Sequence, residues 1–193
     1  MMKSVLVAAQ GQNSAETLRV LLRDRYKNAE ILAAGSGAIA RRLIDERCPE
    51  LLVISSPLPD ESGEELARFV ARSSCQTGVL LLSAAEHAEE ISDRAGADGV
   101  FVLEKPFTRA FFNKALSLLE AFIKRTAELN RQNAELLVRI EEQGLIGRAK
   151  CNLVKLNGFT ELEAHRYIEK RAMDLRLTKR RVAEEILRGR DWP

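Results

Sequence analysis

Side chains able to do chemistry follow three short apolar runs in the first half of the chain: Ser55, Ser83 and Lys105. A serine hydroxyl becomes a nucleophile only when a neighbouring base activates it. The two histidines of the chain, His87 and His165, are not placed near Ser55, and the GxSxG turn that exposes a nucleophilic serine is absent. A lysine and hydroxyls alone do not complete such a site, so we expect no catalytic residue.

The elements that would position these side chains alternate along the chain. Strands are predicted at residues 5–8, 31–33, 51–54, 79–82 and 100–103, and helices at 14–26, 37–46, 61–72 and 84–95. Uninterrupted apolar strands that alternate with helices indicate a parallel sheet covered on both faces. We therefore predict a flavodoxin-like α/β domain over residues 1–120, a doubly wound five-stranded parallel sheet. Ligands bind at the carboxyl ends of such strands, where this chain has Ala9, Gln10, Ser55, Ser83 and Lys105.

The layout over about residues 3–120 resembles the receiver domains of two-component response regulators. The resemblance is carried by Pro49-Glu50, Pro59, Gly63, Ser83-Ala84, Gly96-Ala-Asp-Gly99 and Lys105-Pro-Phe107. Receivers bind Mg²⁺ through an acidic pair after the first strand and phosphorylate an aspartate after the third. The matching positions here hold Ala9, Gln10 and Ser55.

The absence of acidic residues at these three positions argues against phosphorylation. A hard divalent cation needs carboxylate oxygens, and without the metal little neutralises an incoming phosphoryl group. We therefore expect a pseudo-receiver with a degenerate phosphorylation site, no metal and no cofactor. Lys105 is then either a remnant that pairs locally or a contact for another anionic ligand. A regulatory protein or a small ligand could control the domain instead of phosphorylation.

A second helical pattern runs from Thr108 to about Gln143 without proline or glycine. A heptad register places Ala115, Phe122, Leu129 and Leu136 at one core position and Leu119, Thr126, Asn133 and Ile140 at the other. This spacing predicts a coiled-coil stalk over residues 108–143 and a homodimer. The expected dimerisation residues are Phe122, Leu129, Leu136 and Ile140. The alternative is a helix that folds back on its own receiver, and Gly144 and Gly147 are expected to mark a joint or bend.

The last part of the chain, residues 145–190, reads as a three-helix module. The first helix should bury Ile146, Ala149, Leu153 and Leu156 and end at Asn157-Gly158. A capping box, Thr160 to Glu163, opens the second helix, which should bury Ala164, Ile168, Ala172 and Leu175. Thr178 is the expected N-cap of the third helix, which should bury Val182, Ala183, Ile186 and Leu187.

Charge is concentrated in this module. Residues 144–193 contain twelve lysines and arginines against seven acidic residues, whereas the net charge of the whole chain is only +2. A basic module on a slightly acidic body suggests a polyanionic partner. Residues 179–181, Lys-Arg-Arg, fall in the first turn of the third helix, where the helix dipole does not favour cations.

The same module resembles the ANTAR family of RNA-binding output domains over about residues 145–188. The resemblance is carried by Ala149-Lys150, Leu153, Gly158-Phe-Thr160, Glu163-Ala164, Arg171-Ala-Met173, Val182-Ala183 and Ile186, with a departure at Cys151-Asn152. Members of the family act as antiterminators that bind paired hairpins in a nascent leader transcript. The resemblance implies an RNA partner, and the expected contacts are Lys150, Arg166, Lys170, Arg171, Arg176, Lys179, Arg180 and Arg181. Phe159 or Tyr167 could stack on a loop base, although packing between the helices is the simpler role.

Two alternatives to RNA binding remain. Three small basic helices could form a helix-turn-helix that binds DNA, or the chain could be a regulator that acts through a protein partner. Cys48, Cys75 and Cys151 are widely spaced and lie in no CxxC or Cys/His cluster, so we expect neither a disulfide framework nor zinc. No run of eighteen uncharged apolar residues occurs. We therefore expect a cytoplasmic location without membrane contact.

Overall fold

The computed structural model describes residues 2–73 and 76–189. The chain divides into two compact units, residues 1–127 and residues 128–193. The strands are β1 (Ser4–Ala9), β2 (Glu30–Ala34), β3 (Leu51–Ser55), β4 (Gly78–Ala84) and β5 (Val100–Lys105). The helices are α1 (Gln12–Arg25), α2 (Gly37–Arg47), α3 (Gly63–Ala71), α4 (Ala85–Gly96), α5 (Arg109–Asn157), α6 (Glu161–Asp174) and α7 (Lys179–Leu187). Within the described ranges, no helix combines the length and the apolar character needed to cross a membrane.

The first unit is built on one sheet, in the order β2-β1-β3-β4-β5, with every neighbouring pair parallel. Successive residues of a strand point to opposite faces, and both faces of β1 and β3 are apolar. Leu6 and Ile54 pack in a layer with α2, α3 and α4, whereas Val7 and Val53 pack with α1 and the first turns of α5. The flavodoxin-like fold predicted from the alternating pattern is confirmed.

One cysteine departs from the sequence expectation. Cys48, which ends α2 in the left-handed region with a φ of 41°, is disulfide-bonded. Cys151 is free and exposed, and Cys75 lies outside the described residues. The expectation of unpaired cysteines is therefore wrong at Cys48, because spacing along the chain does not reveal which residues the fold brings together.

Helix α5 runs without interruption for 49 residues, from Arg109 to Asn157. The expected joint at Gly144 and Gly147 is wrong, because both glycines lie inside the helix. A glycine in a helix interior costs about 1 kcal/mol relative to alanine, which weakens a helix without ending it. The helix ends at Asn157, as predicted, and Gly158 follows it with a φ of 71°.

Replacing Gly144 by alanine should therefore stabilise the protein. A Cβ at Gly144 would have nothing within 4 Å, so the Gly144→Ala variant should gain about 0.8–1 kcal/mol from helix propensity alone. Urea unfolding followed by circular dichroism measures the change.

The matched control is Gly158→Ala, which also adds its methyl group in open space but at a φ of 71°. An alanine there should lose about 1 kcal/mol, because the left-handed conformation crowds its Cβ. A Gly144→Ala variant that unfolds as readily as Gly158→Ala would mean that the helix is broken at residue 144.

The second unit has a small core shared by the end of α5, α6 and α7. It contains Ala149, Leu153, Ala164, Ile168, Ala172, Val182 and Ala183. The predicted capping box is present, since the Thr160 N–H donates to Glu163 Oε2 at 2.8 Å and the Glu163 N–H donates to Thr160 Oγ1 at 3.3 Å. Thr178 caps α7 by accepting a hydrogen bond from the Arg181 N–H, as predicted.

Three leucines expected in this core lie outside it. Leu156 is 79% exposed, and Leu175 and Leu187 are also exposed. Each lies in the last turn of its helix or just after it, where the chain turns away before a neighbouring helix can cover the side chain. Helical periodicity identifies the buried face but not how far along the helix the cover extends.

Candidate functional site

The carboxyl ends of the strands bring together most of the residues expected at the receiver-like site. Ala9 and Ser55 are register partners on β1 and β3, and Ala84 and Lys105 are partners on β4 and β5. The Lys105 ammonium donates to the Ser56 carbonyl oxygen at 2.5 Å and to Ser55 Oγ at 3.4 Å.

The ammonium group of Lys105 is held by hydrogen bonds to neighbouring residues of the same unit. Burial lowers the pKa of Lys105 below its ordinary value, and its two hydrogen bonds go to a carbonyl and a hydroxyl. Ser83 is buried and Gln10 is exposed. The site residues thus supply one ammonium group, two hydroxyls and an amide, which is not a donor set that suits a hard divalent cation. Among the described residues, no cluster of three or more histidine, cysteine or acidic side chains could hold a metal ion.

Asp60 lies in the loop after β3 but serves as a helix cap. Its carboxylate accepts hydrogen bonds from the N–H groups of Gly37 and Ala38, at 2.7 and 2.9 Å. These bonds lower the pKa of Asp60, and the bond from Ala38 has the larger effect. The carboxylate is therefore committed to the N-terminus of α2, where a negative charge is favoured by the helix dipole.

The predicted stalk residues divide into two groups within α5. Leu119, together with Phe112 and Leu116, is fully buried against the sheet of the first unit. Phe122 contacts the Phe101 ring, with centroids 5.5 Å apart, but stays partly exposed. The register predicted from Ala115 therefore begins inside the receiver-like unit, and only its later part is free.

Beyond Phe122, the apolar heptad positions have little cover from the residues that the structure describes. Leu129 is 43% exposed, and Leu136 and Ile140 are more exposed still. On the flank, Arg131 bridges Glu128 and Glu135 along the same helix. An exposed apolar stripe of this kind, bordered by charged pairs, is what a partner helix would cover.

Four of the basic residues expected to bind RNA have acidic partners within the second unit. The pairs are Lys150 with Glu161 at 3.0 Å, Lys179 with Glu169 at 2.6 Å, Arg180 with Glu184 at 3.2 Å, and Arg181 with Glu185 at 3.2 Å. The Lys-Arg-Arg run of residues 179–181 is therefore matched by carboxylates of α6 and α7. Exposed pairs of this type contribute little to stability, but they reduce the local positive charge.

Three other predicted contacts have no such partner. Among the described residues, nothing pairs with the side chains of Arg166, Lys170 or Arg176, and the same holds for Arg148 and Lys155, which were not among the predicted contacts. All five are exposed. Their ammonium and guanidinium groups are the cations of this unit most available to an external anion.

The aromatic side chains of the unit pack on one another. The Phe159 and Tyr167 rings meet edge to face with centroids 5.6 Å apart. The Arg171 guanidinium lies 5.6 Å from the Tyr167 ring, and its Nε donates to the Tyr167 hydroxyl at 3.3 Å. This arrangement favours the packing role for both rings over stacking on a base.

Sequence reasoning missed one buried charge. Glu185 is only 4% exposed, and its carboxylate lies 3.2 Å from Arg181 and 3.9 Å from Arg188. The available signal was its position between the core residues Val182 and Ile186 on α7. A buried carboxylate is costly unless it is paired, so Arg181 and Arg188 help to compensate the charge of Glu185.

Comparisons with known proteins match both units. The sequence model of the ANTAR domain matches residues 134–187. The transcriptional regulatory protein PdtaR of Mycobacterium tuberculosis is 29% identical over 186 residues, which is 96% of this chain and 89% of that protein. The aliphatic amidase regulator of Pseudomonas aeruginosa is 25% identical over 139 residues, which is 72% of this chain and 71% of that protein.

Several of the solved structures that match are receiver domains or response regulators. One from Clostridium thermocellum has a TM-score of 0.56 and 21% identity, and covers 66% of this chain and 99% of that chain. A chemotaxis response regulator of Vibrio cholerae has a TM-score of 0.53 and 22% identity, and covers 62% of this chain and 99% of that chain. At these identities the likeness shows the fold of the first unit and nothing more.

Proposed function

We propose that this chain is an ANTAR response-regulator-like protein that regulates transcription by binding hairpins in nascent leader RNA. Binding there stops a terminator hairpin from forming, so the protein is an antiterminator. The observation that carries the proposal is that the ANTAR match, residues 134–187, falls on the basic unit of the chain. Such a role needs no catalytic residue, because binding alone diverts the folding of the RNA.

The proposal assigns residues 1–120 to a pseudo-receiver, 108–143 to the stalk and 145–190 to RNA binding. Support for the loss of phosphorylation comes from Ala9, Gln10 and Ser55, none of which supplies a carboxylate at the strand ends. The hydrogen bonds of Lys105 to Ser55 and Ser56 support a structural remnant. Control then comes from a regulatory protein or a small ligand, and the protein acts in the cytoplasm.

The proposed assembly is a homodimer through the exposed heptads of α5. A dimer presents two RNA-binding modules to two hairpins, and linking two binding events raises the overall affinity without any new contact. The paired hairpins that the resemblance to the ANTAR family implies would suit such a dimer.

Transcription in vitro tests the function. Templates carry a leader with two adjacent hairpins ahead of a terminator, and the protein is added without a phosphodonor. We expect read-through to rise with the wild-type protein and not with Ile168→Asp, which places a charge in the core of the module. Unchanged read-through, together with binding to promoter duplex, would favour the helix-turn-helix alternative.

The Ser55→Ala variant tests the pseudo-receiver directly. Its RNA affinity and read-through should stay within about twofold of wild type, since a 3.4 Å hydrogen bond is at the weak end of the range. Gel-shift titration and the same read-through assay measure both. A clear loss of either activity would show that Ser55 has a functional role and that the site is not degenerate.

A further inference from the structure

We propose that the outward face of α6 is the surface that contacts the hairpin loop, rather than the basic run at the start of α7. This face, called the α6 face below, consists of Leu162, Arg166, Lys170 and Met173. The inference rests on the proposed function and identifies which side of the module meets the RNA.

The first argument concerns the basic run of α7. Residues 179–181 hold three cations, and the carboxylates of Glu169, Glu184 and Glu185 pair with them at 2.6 to 3.5 Å. The hydrogen bond from Lys179 lowers the pKa of Glu169, and that from Arg180 lowers the pKa of Glu184, so both stay charged at neutral pH. An RNA phosphate that approached this run would meet as many carboxylates as cations.

The second argument concerns the cations of α6. Arg166 and Lys170 are exposed and have no partner among the described residues. They are four residues apart, so their side chains leave the helix side by side and can reach neighbouring phosphates of one strand. The buried residues Ala164, Ile168 and Ala172 lie on the opposite side of the helix, so the pair points away from the core.

The third argument concerns the apolar side chains that flank this pair. Leu162 is 59% exposed and Met173 is 73% exposed, and helical spacing places both on the same side as Arg166 and Lys170. Unstacked bases of a hairpin loop present flat apolar faces next to phosphates, and a methionine thioether contacts aromatic rings favourably. A duplex offers phosphates but keeps its bases stacked, so the mixed face fits a loop.

Another pair of cations without a partner among the described residues of the module, residues 145–189, lies on α5. Arg148 and Lys155 are seven residues apart, about two turns, with Cys151 between them. This pair lacks the close spacing of the α6 cations. It therefore serves as a comparison in the test.

Three double variants of the full-length chain remove two positive charges each: Arg166→Gln/Lys170→Gln, Lys179→Gln/Arg180→Gln and Arg148→Gln/Lys155→Gln. The probe is a hairpin RNA that the wild-type protein binds, titrated at several salt concentrations. We expect the α6 variant to bind at least about tenfold more weakly at about 0.1 M salt. The slope of log affinity against log salt concentration should also be smaller by about 1.4, because two phosphate contacts are lost. The α7 variant should lose less than about threefold on the same scale, and the α5 variant should lose less affinity than the α6 variant.

Two further variants separate contact from folding. The charge-conserving swap Arg166→Lys/Lys170→Arg should keep most of the affinity, since both residues still offer a cation. Met173→Ser should weaken binding several-fold with an unchanged salt slope, because it removes an apolar contact and no charge.

The outcomes distinguish the inference from the function it rests on. If the wild-type protein binds RNA and the α7 or α5 variant loses more affinity than the α6 variant, the inference is overturned and the function stands. If the wild-type protein binds no hairpin RNA, the proposed function fails and the inference fails with it. Greater loss in the α6 variant, with rescue by the charge-conserving swap, supports the inference.

Discussion

Raising monovalent salt from about 50 to about 200 mM should weaken the binding of hairpin RNA by about 50-fold. The size of this change in affinity follows from counterion release. Each phosphate contact to a single strand contributes about 0.7 to the slope of log affinity against log salt concentration. Four contacts per module would give a slope of about 2.8 on this scale. The module offers five exposed cations without a partner among its described residues, which are Arg148, Lys155, Arg166, Lys170 and Arg176.

Fluorescence anisotropy of a labelled hairpin at four salt concentrations measures this slope. A control titration at constant salt with an uncharged osmolyte separates ion release from general crowding. Affinity that is indifferent to salt would rule out phosphate contacts as the main source of binding. It would then favour a regulator that acts through a protein partner.

The Leu129→Lys variant should convert the proposed dimer to a monomer. Leu129 is 43% exposed in the single chain and shares its heptad position with Phe122 and Leu136. In a coiled coil this position is buried between two helices, so a lysine would place a charge there in each chain. A penalty of roughly 3 kcal/mol corresponds to a rise in the dimer dissociation constant of about 100-fold.

Sedimentation velocity over a range of concentrations measures the change. The matched control is Ala134→Lys, which adds the same side chain on the same helix but away from the apolar stripe. We expect this control to sediment as wild type. If Leu129→Lys remained as dimeric as Ala134→Lys, the heptad register or the dimer itself would be refuted.

The strands of the sheet could be predicted because each strand is identified by residues that are neighbours in the sequence. β1 and β3 are uninterrupted apolar runs, and only a strand buried on both faces needs such a run. The same holds for Thr160 with Glu163, where a capping box depends on residues three apart. In each case the residues that determine the structure are neighbours in the sequence.

One departure is local: the glycines at 144 and 147 suggested a joint, yet the surrounding residues keep the helix intact. The other departures come from contacts between distant residues. The pairing of Lys179 with Glu169 depends on the packing of α7 against α6, which no local pattern contains. For the same reason the basic run of α7 was among the expected RNA contacts, although its charges are matched within the chain.

The central claim is that this protein binds hairpin RNA without being phosphorylated. The most direct test is a competition experiment in which purified full-length protein is titrated with paired-hairpin RNA and with duplex DNA of equal length, without a phosphodonor. The account predicts selective capture of the RNA, with affinity unchanged when a small-molecule phosphodonor and Mg²⁺ are added. Preference for the duplex, or RNA binding that appears only with the phosphodonor, would contradict it.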